Sequence, residues 1–271
     1  MVLNVSILFY LLTGSWADTN NWSLALIPEN THEVVVPSGK TSTIQNTINA
    51  IKKLTNQGDV VIQPDFSLQV TTDLSNNGSI ILNSNQTQSA SLLVSGNYSG
   101  NLTYAKNVSA NWELVAAPVI GETIQNIINN GNLASGTNGN LGFAPYNNSF
   151  ILPATTGWQY VKASTTGTVL NGSGYSVKRN TSGNINFTGT FNASDTSISL
   201  IDGSQNMWNL IGNPYPSYIA GNDNANVSNI LTSNIGALLS THAALYFWNP
   251  STQQYDIINN ASFCQIYSSC N

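Results

Sequence analysis

The chain has 271 residues, enough to bury one large core or two smaller ones. Only 7% of them are charged, the formal net charge is -5, and the seven basic residues are scattered, which excludes a nucleic-acid-binding surface. A hydrophobic share of 41% excludes a disordered chain, and the dominance of Asn, Ser, Thr and Gly over good helix formers excludes a helical protein.

Val2 to Leu12 is an apolar run too short to span a bilayer. It reads as a first β-strand, or as a signal peptide ending near Ser15-Trp16-Ala17 but lacking a positive start. Trp16 and Trp22 are separated by a polar turn, so they form either an aromatic cap over that strand or a sugar-stacking pair. Ile44, Ile48, Ile51 and Leu54 fit a short helix or a winding loop. Apolar triads follow at Val60-Val61-Ile62, Leu68-Gln69-Val70, Ile80-Ile81-Leu82 and Leu92-Leu93-Val94, with turn residues between them. A solenoid coil needs about 20 residues or more, so these triads fit successive faces of a short β-helix. A meander with Asn-Gly hairpins is the alternative.

From about residue 98 the strands become longer and more aromatic, beginning with Leu102-Thr103-Tyr104 and Trp112-Glu113-Leu114-Val115. Between residues 172 and 201, apolar residues alternate strictly, as in an antiparallel sheet with one face in a core. The most informative run is Met207 to Ser217. Its first half alternates like a half-buried strand, and Gly212-Asn213-Pro214 turns it into a corner stiffened by the prolines around Tyr215. An earlier relative, Trp112 to Pro118, shares the pattern Trp-x-Leu-(Val/Ile)-small-x-Pro. Each copy is followed by a helix-like stretch (Ile124, Ile127 and Ile128; then Val227, Ile230, Leu231 and Ile235), then a strand, then a Gln-Tyr pair opening another strand. The expected fold is therefore all-β. A solenoid-like region, a short β-helix, covers residues 1–97. An antiparallel β-sandwich with two short helices covers 98–271, with an internal duplication of about 112–160 and 208–255. In it Trp112, Pro118, Trp208, Gly212, Asn213 and Pro214 are structural, and both tryptophans are expected to be mostly buried.

Trp208 to Ser217 resembles the Trp-x-Leu-x-Gly-Asn-Pro-Tyr-Pro-Ser signature of large bacterial surface and secreted proteins exported by type IX secretion. Gly172 to Tyr175, Phe187 to Thr190, the strand near Trp248, and the start from Gly14 to Val36 are similar to companion features of those proteins. The resemblance implies an adhesin-like, cell-surface or extracellular module. Such proteins carry a sorting domain after this module, and the chain ends at Cys270-Asn271 without one, so it reads as a fragment of a longer protein.

The chemistry-bearing residues are sparse. Nothing pairs two of the twelve carboxylates in the way glycoside hydrolysis requires. Asp223 resembles half a calcium loop, and no Gly-x-Ser-x-Gly elbow, phosphate loop or dinucleotide fingerprint occurs. Cys264 and Cys270 are candidates for a small disulfide of an exported protein, or two free thiols. About fourteen Asn-x-Ser/Thr sequons occur, among them those at Asn97, Asn101 and Asn186. No metal and no cofactor is expected. The expected function is non-enzymatic: a structural or adhesive extracellular module whose partners are polysaccharide or neighbouring surface-protein domains, with self-assembly through open sheet edges and no membrane span. The alternative is a carbohydrate-binding module attached to a polysaccharide-active enzyme, with Trp16, Trp22, Trp158, Tyr215 and Trp248 as candidate surface aromatics. A polysaccharide-cleaving enzyme is a third reading.

Overall fold

The computed structural model describes residues 6–48, 50–151, 156–191, 193–225 and 227–261. Cys264 and Cys270 lie outside the described residues. The chain is mostly β with two short α-helices, and it begins with a β-solenoid of about four turns. The first coil supplies β1 (Ile7–Phe9) and β2 (Gly14–Ser15), and the second β3 (Glu33–Val36) and β4 (Thr41–Ile44). The third supplies β5 (Lys53–Asn56), β6 (Asp59–Ile62) and β7 (Ser67–Val70). The fourth supplies β8 (Leu74–Asn76), β9 (Ser79–Asn83) and β10 (Ser91–Val94), before β11 (Tyr98–Ser99) and β12 (Leu102–Val108). Three sheets result: β1-β3-β5-β8-β11, β2-β4-β6-β9-β12 and β7-β10, with all of these pairings parallel.

The triads stack because each coil presents the same apolar alternation to a common interior. Val60 lies against Ile80 and Ile62 against Leu82 in one sheet, and Leu68 against Leu92 and Val70 against Val94 in another. Val34, Leu54 and Leu74 form a third buried ladder. Burying each such side chain contributes about 1.5–3 kcal/mol. The corners are polar and shared between coils. The Asn56 amide donates to Asn76 Oδ1 at 2.7 Å and to the Ser79 carbonyl at 3.0 Å. Asn76-Asn77-Gly78 is thus a corner between β8 and β9, and the hairpin meander is not formed. Among its described residues the Ile44–Leu54 region carries no helix between β4 and β5.

One sheet edge is covered at each end of the stack. At the start, residues 21–23 fold back antiparallel along β1: Leu11 N–H donates to the Asn21 carbonyl at 2.8 Å and Ser23 N–H to the Phe9 carbonyl at 3.0 Å. At the other end, the chain passes through β13 (Glu113–Ala116), α1 (Ile124–Asn130), β14 (Phe143–Pro145) and β15 (Gly174–Val177) before β16 (Gly183–Gly189). β16 then pairs antiparallel with β12 along its whole length. Since β11 and β12 belong to the stack, the solenoid runs on to Val108, past the boundary expected at residue 97. β13 and β14 flank β15 in a three-stranded antiparallel sheet. The chain continues into α2 (Ile230–Ser233) and a hairpin of β17 (Leu245–Asn249) and β18 (Gln254–Ile258).

Several expectations for the second half are corrected. Met207 to Ser217 is not a regular strand: only Ile211 makes a bridge, to Ser173. Trp208 is 50% exposed, so it is not mostly buried, and Trp112, at 37%, is a partly exposed residue and not a core one. The second helix is one turn with Leu231 buried, while Val227 and Ile235 are exposed. Thr196 to Ile201 forms no strand. The two corners nevertheless meet. Ala116 pairs with Gly174 while Gly174 N–H donates to the Leu210 carbonyl at 3.2 Å. The Asn171 amide donates to the carbonyls of both Ala117 (3.1 Å) and Pro214 (2.8 Å). A Cβ added at Gly212 would fall 2.1 Å from that of Ala116, so only glycine allows this approach.

Candidate functional site: an aromatic cleft

Strand alternation decides which side of β13 meets solvent. Glu113 and Val115 are buried, whereas Trp112 and Leu114 stand on the other face, next to Ser176 of β15. The hairpin covers this face from one side. Trp248 and Tyr255 are direct cross-strand partners, edge to face at 5.2 Å. Trp248 Nε1 donates to the Trp112 carbonyl at 2.8 Å, and the Asn111 amide reaches the Pro250 carbonyl at 3.4 Å. Tyr160 lies 5.6 Å from Trp112, and Trp158 stands against Tyr146 at 5.1 Å. Together Trp112, Leu114, Trp158, Tyr160, Trp248 and Tyr255 surround an open cleft of about 250 Å3, whose lining also includes Glu113 and Ser176. Burial pushes the phenols of Tyr160 and Tyr255 up, with Tyr146 adding to the shift at Tyr255, so both stay neutral hydroxyls. The Lys178 ammonium sits over the Trp112 ring, 5.8 Å from its centre.

The other expected site residues go elsewhere. Trp16 (0% exposed) and Trp22 (2%) are core residues, packed edge to face at 4.8 Å, with Trp22 Nε1 donating to the Trp16 carbonyl. They form the aromatic cap and present no ring to a sugar. Tyr215 is half-buried; its hydroxyl accepts from Thr196 N–H at 2.9 Å and lies 3.3 Å from the Ser194 carbonyl. Asn213 holds the corner by accepting from Tyr215 N–H at 2.9 Å, and Pro118 and Pro214 are buried. Beyond the corner, Leu92 N–H donates to the Pro216 carbonyl at 2.8 Å, and Tyr218 and Ser89 exchange two hydrogen bonds. The run thus ties the second half of the chain to the β10 edge of the solenoid.

The two buried carboxylates are engaged with backbone donors. Glu122 accepts from Thr123 N–H at 2.7 Å and Thr188 N–H at 2.6 Å, joining the start of α1 to β16. Glu113 accepts from Ser109 N–H at 2.5 Å. Burial pushes the Lys106 ammonium below the usual lysine range, against the opposing charge of Glu113. Asp223 accepts from Thr232 Oγ1 and Asn229 Nδ2, which hold its carboxyl below the usual range and tie it to the α2 cap. Among the described residues, no three His, Cys, Asp or Glu side chains gather as a metal site, and no helix is long and apolar enough to cross a membrane. Sequence reasoning singled out Trp158 and Trp248 but missed Tyr160, Tyr255 and Lys178, and it placed Trp112 in the core. The Gln-Tyr pairs at 159–160 and 254–255 were visible as strand starts, and both supply rings to the cleft.

A family profile described as a domain of unknown function (DUF8693) matches residues 11–271. The chain belongs to this family. The match covers the solenoid from after β1, both corners and every ring of the cleft. No curated protein and no solved structure matches the chain.

Proposed function

We propose that this chain is a non-enzymatic extracellular module, structural or adhesive, of a larger bacterial cell-surface or secreted protein. The observation that carries the reading is an exposed aromatic cleft mounted directly after a solenoid whose β1 and β12 edges are covered. A stack with covered edges resists edge-to-edge association, and exposed rings on a rigid mount are suited to holding a partner. The resemblance of Trp208 to Ser217 to type IX-secreted proteins supports the surface location. In this reading the three-stranded sheet and the hairpin correspond to the β-sandwich module of those proteins.

A second reading is a carbohydrate-binding module that brings a polysaccharide-active enzyme to its substrate. The convergence of three tryptophans and two tyrosines on one cleft favours it, because such rings offer apolar faces with polar tips. Protease shaving of intact source cells tests the location, with recovery of this chain's peptides in the released fraction as the expected result. Retention of the chain solely in the cytosolic fraction would overturn the proposal. Release of soluble sugar from polysaccharide by the purified chain would overturn its non-enzymatic part.

A further inference from the structure

The lining of the cleft includes one carboxylate residue, Glu113, and one ammonium, Lys178, stands at its margin over Trp112; the ammonium narrows the chemistry of an occupant. Lys178 belongs to the strand segment that supplies Ser176, and its backbone is fixed on both sides by hydrogen bonds with Gly142 and Ala134. Its side chain lies over Trp112, one of the cleft walls. Among the described residues the one ion pair is Lys52–Glu33, so no described carboxylate neutralises Lys178. Glu113 contributes to the lining, but its side chain is buried on the other face of β13 and its carboxylate accepts from Ser109 N–H. Asp256 pairs with Phe247 on the face of the hairpin opposite Trp248 and Tyr255. An ammonium resting on an indole keeps its N–H groups available to an anion.

We propose that the cleft binds an anionic saccharide. The apolar face of a pyranose packs on Trp112, Trp248 and the tyrosines, and its carboxylate or sulfate pairs with Lys178. A volume of about 250 Å3 lies just below the range of ligand pockets, about 300–1,000 Å3, and the open cleft is of a size to seat a single sugar ring of a longer chain. The hairpin latch from Trp248 Nε1 to the Trp112 carbonyl keeps two walls in register for that ring. The inference rests on the adhesive reading and deepens it by naming the ligand class.

The test is binding of the full chain to three immobilised polymers: a polyuronate, a sulfated galactan and an uncharged galactan. The expected result is tighter binding to at least one charged polymer, weakening as salt is raised. The uronate and sulfate arms tell the two anions apart. Lys178→Gln should cut charged-polymer binding about tenfold, to the level of the uncharged polymer, the loss of one charge-assisted contact. Tyr160→Ala should weaken binding to all three. Trp208→Ala, outside the cleft, should leave binding unchanged. Unchanged charged-polymer binding in a folded Lys178→Gln chain would overturn the inference, as would equal binding of the wild type to all three polymers; the adhesive reading would survive both. If no polymer binds while the chain still attaches to cells, the inference fails alone. If no polymer binds and the chain is confined to the cytosol, both readings fail.

Discussion

Single polar residues hold the chain together at places where no repeat or periodicity marks them. Asn171 joins two corners that lie far apart in sequence, its amide donating to both the Ala117 and Pro214 carbonyls. Asn171→Ala should cost about 1–3 kcal/mol, the range for leaving part-buried polar groups unpaired, read from a urea titration. An unchanged midpoint would show that the corners are held by packing alone. Gly78 sits where one coil lies on the next, and a Cβ there would meet the Gly58 carbonyl at 2.0 Å. Gly78→Ala must push two coils apart, and a loss of about 1–3 kcal/mol is expected from such overpacking. In the sequence, Asn76-Asn77-Gly78 is indistinguishable from a hairpin turn; the contact that constrains it comes from residues about one coil away.

At the scale of elements, the solenoid strands were legible because each triad already alternates as a buried strand must. Their stacking required only that the coils repeat at similar lengths. The end caps were half legible. Trp16 and Trp22 stood out as a pair, yet whether they face a sugar or a core depends on where residues 21–23 lie, which is set by pairing with β1. Trp22→Ala should cost about 3–5 kcal/mol as a core deletion. It should also uncover the β1 edge and promote self-association, visible in sedimentation as concentration-dependent mass. A destabilised but strictly monomeric variant would mean that the cap serves packing and not edge protection. The corner at 207–217 misled in the opposite direction. Its alternation is that of a strand, but Leu210 and Gly212 spend their backbone bonds on a single bridge beside Gly172–Gly174. The following prolines then carry the chain to the solenoid edge.

For the whole molecule, the buried tyrosines set how the fold responds to alkali. Burial pushes the phenols of Tyr98, Tyr104 and Tyr175 above the ordinary tyrosine range. A folded pKa above the unfolded value means stability that is fully present below about pH 10 and is lost as pH rises beyond it. Lys106 works with the other sign. Its folded pKa is depressed, so its burial weighs against folding at neutral pH, and that cost is relieved as pH approaches about 10.4. Stability should therefore hold or rise slightly up to about pH 10 and fall steeply above it. Tyrosinate absorbance from the three buried phenols should appear only as the chain unfolds, and their ionisation in the folded chain near pH 10 would contradict their burial.

The sequence by itself determined the β character and the buried face of each triad, because apolar alternation is a local property that every coil repeats; whether the triads stack as coils or run as a meander was decided by the tertiary structure. It also fixed which residue types were available for binding, since a chain with so few charges has mainly aromatic rings and amides to offer. Only the tertiary structure decided which rings face solvent. Trp112, Trp158–Tyr160, Lys178 and Trp248–Tyr255 come from four separate stretches, and nothing within any one of them records that β15 and the hairpin bring them to one cleft. Burial is a property of what covers a side chain. For Trp16 and Trp22 the cover is the neighbouring coil, and for Trp112 it is a hairpin that leaves a gap.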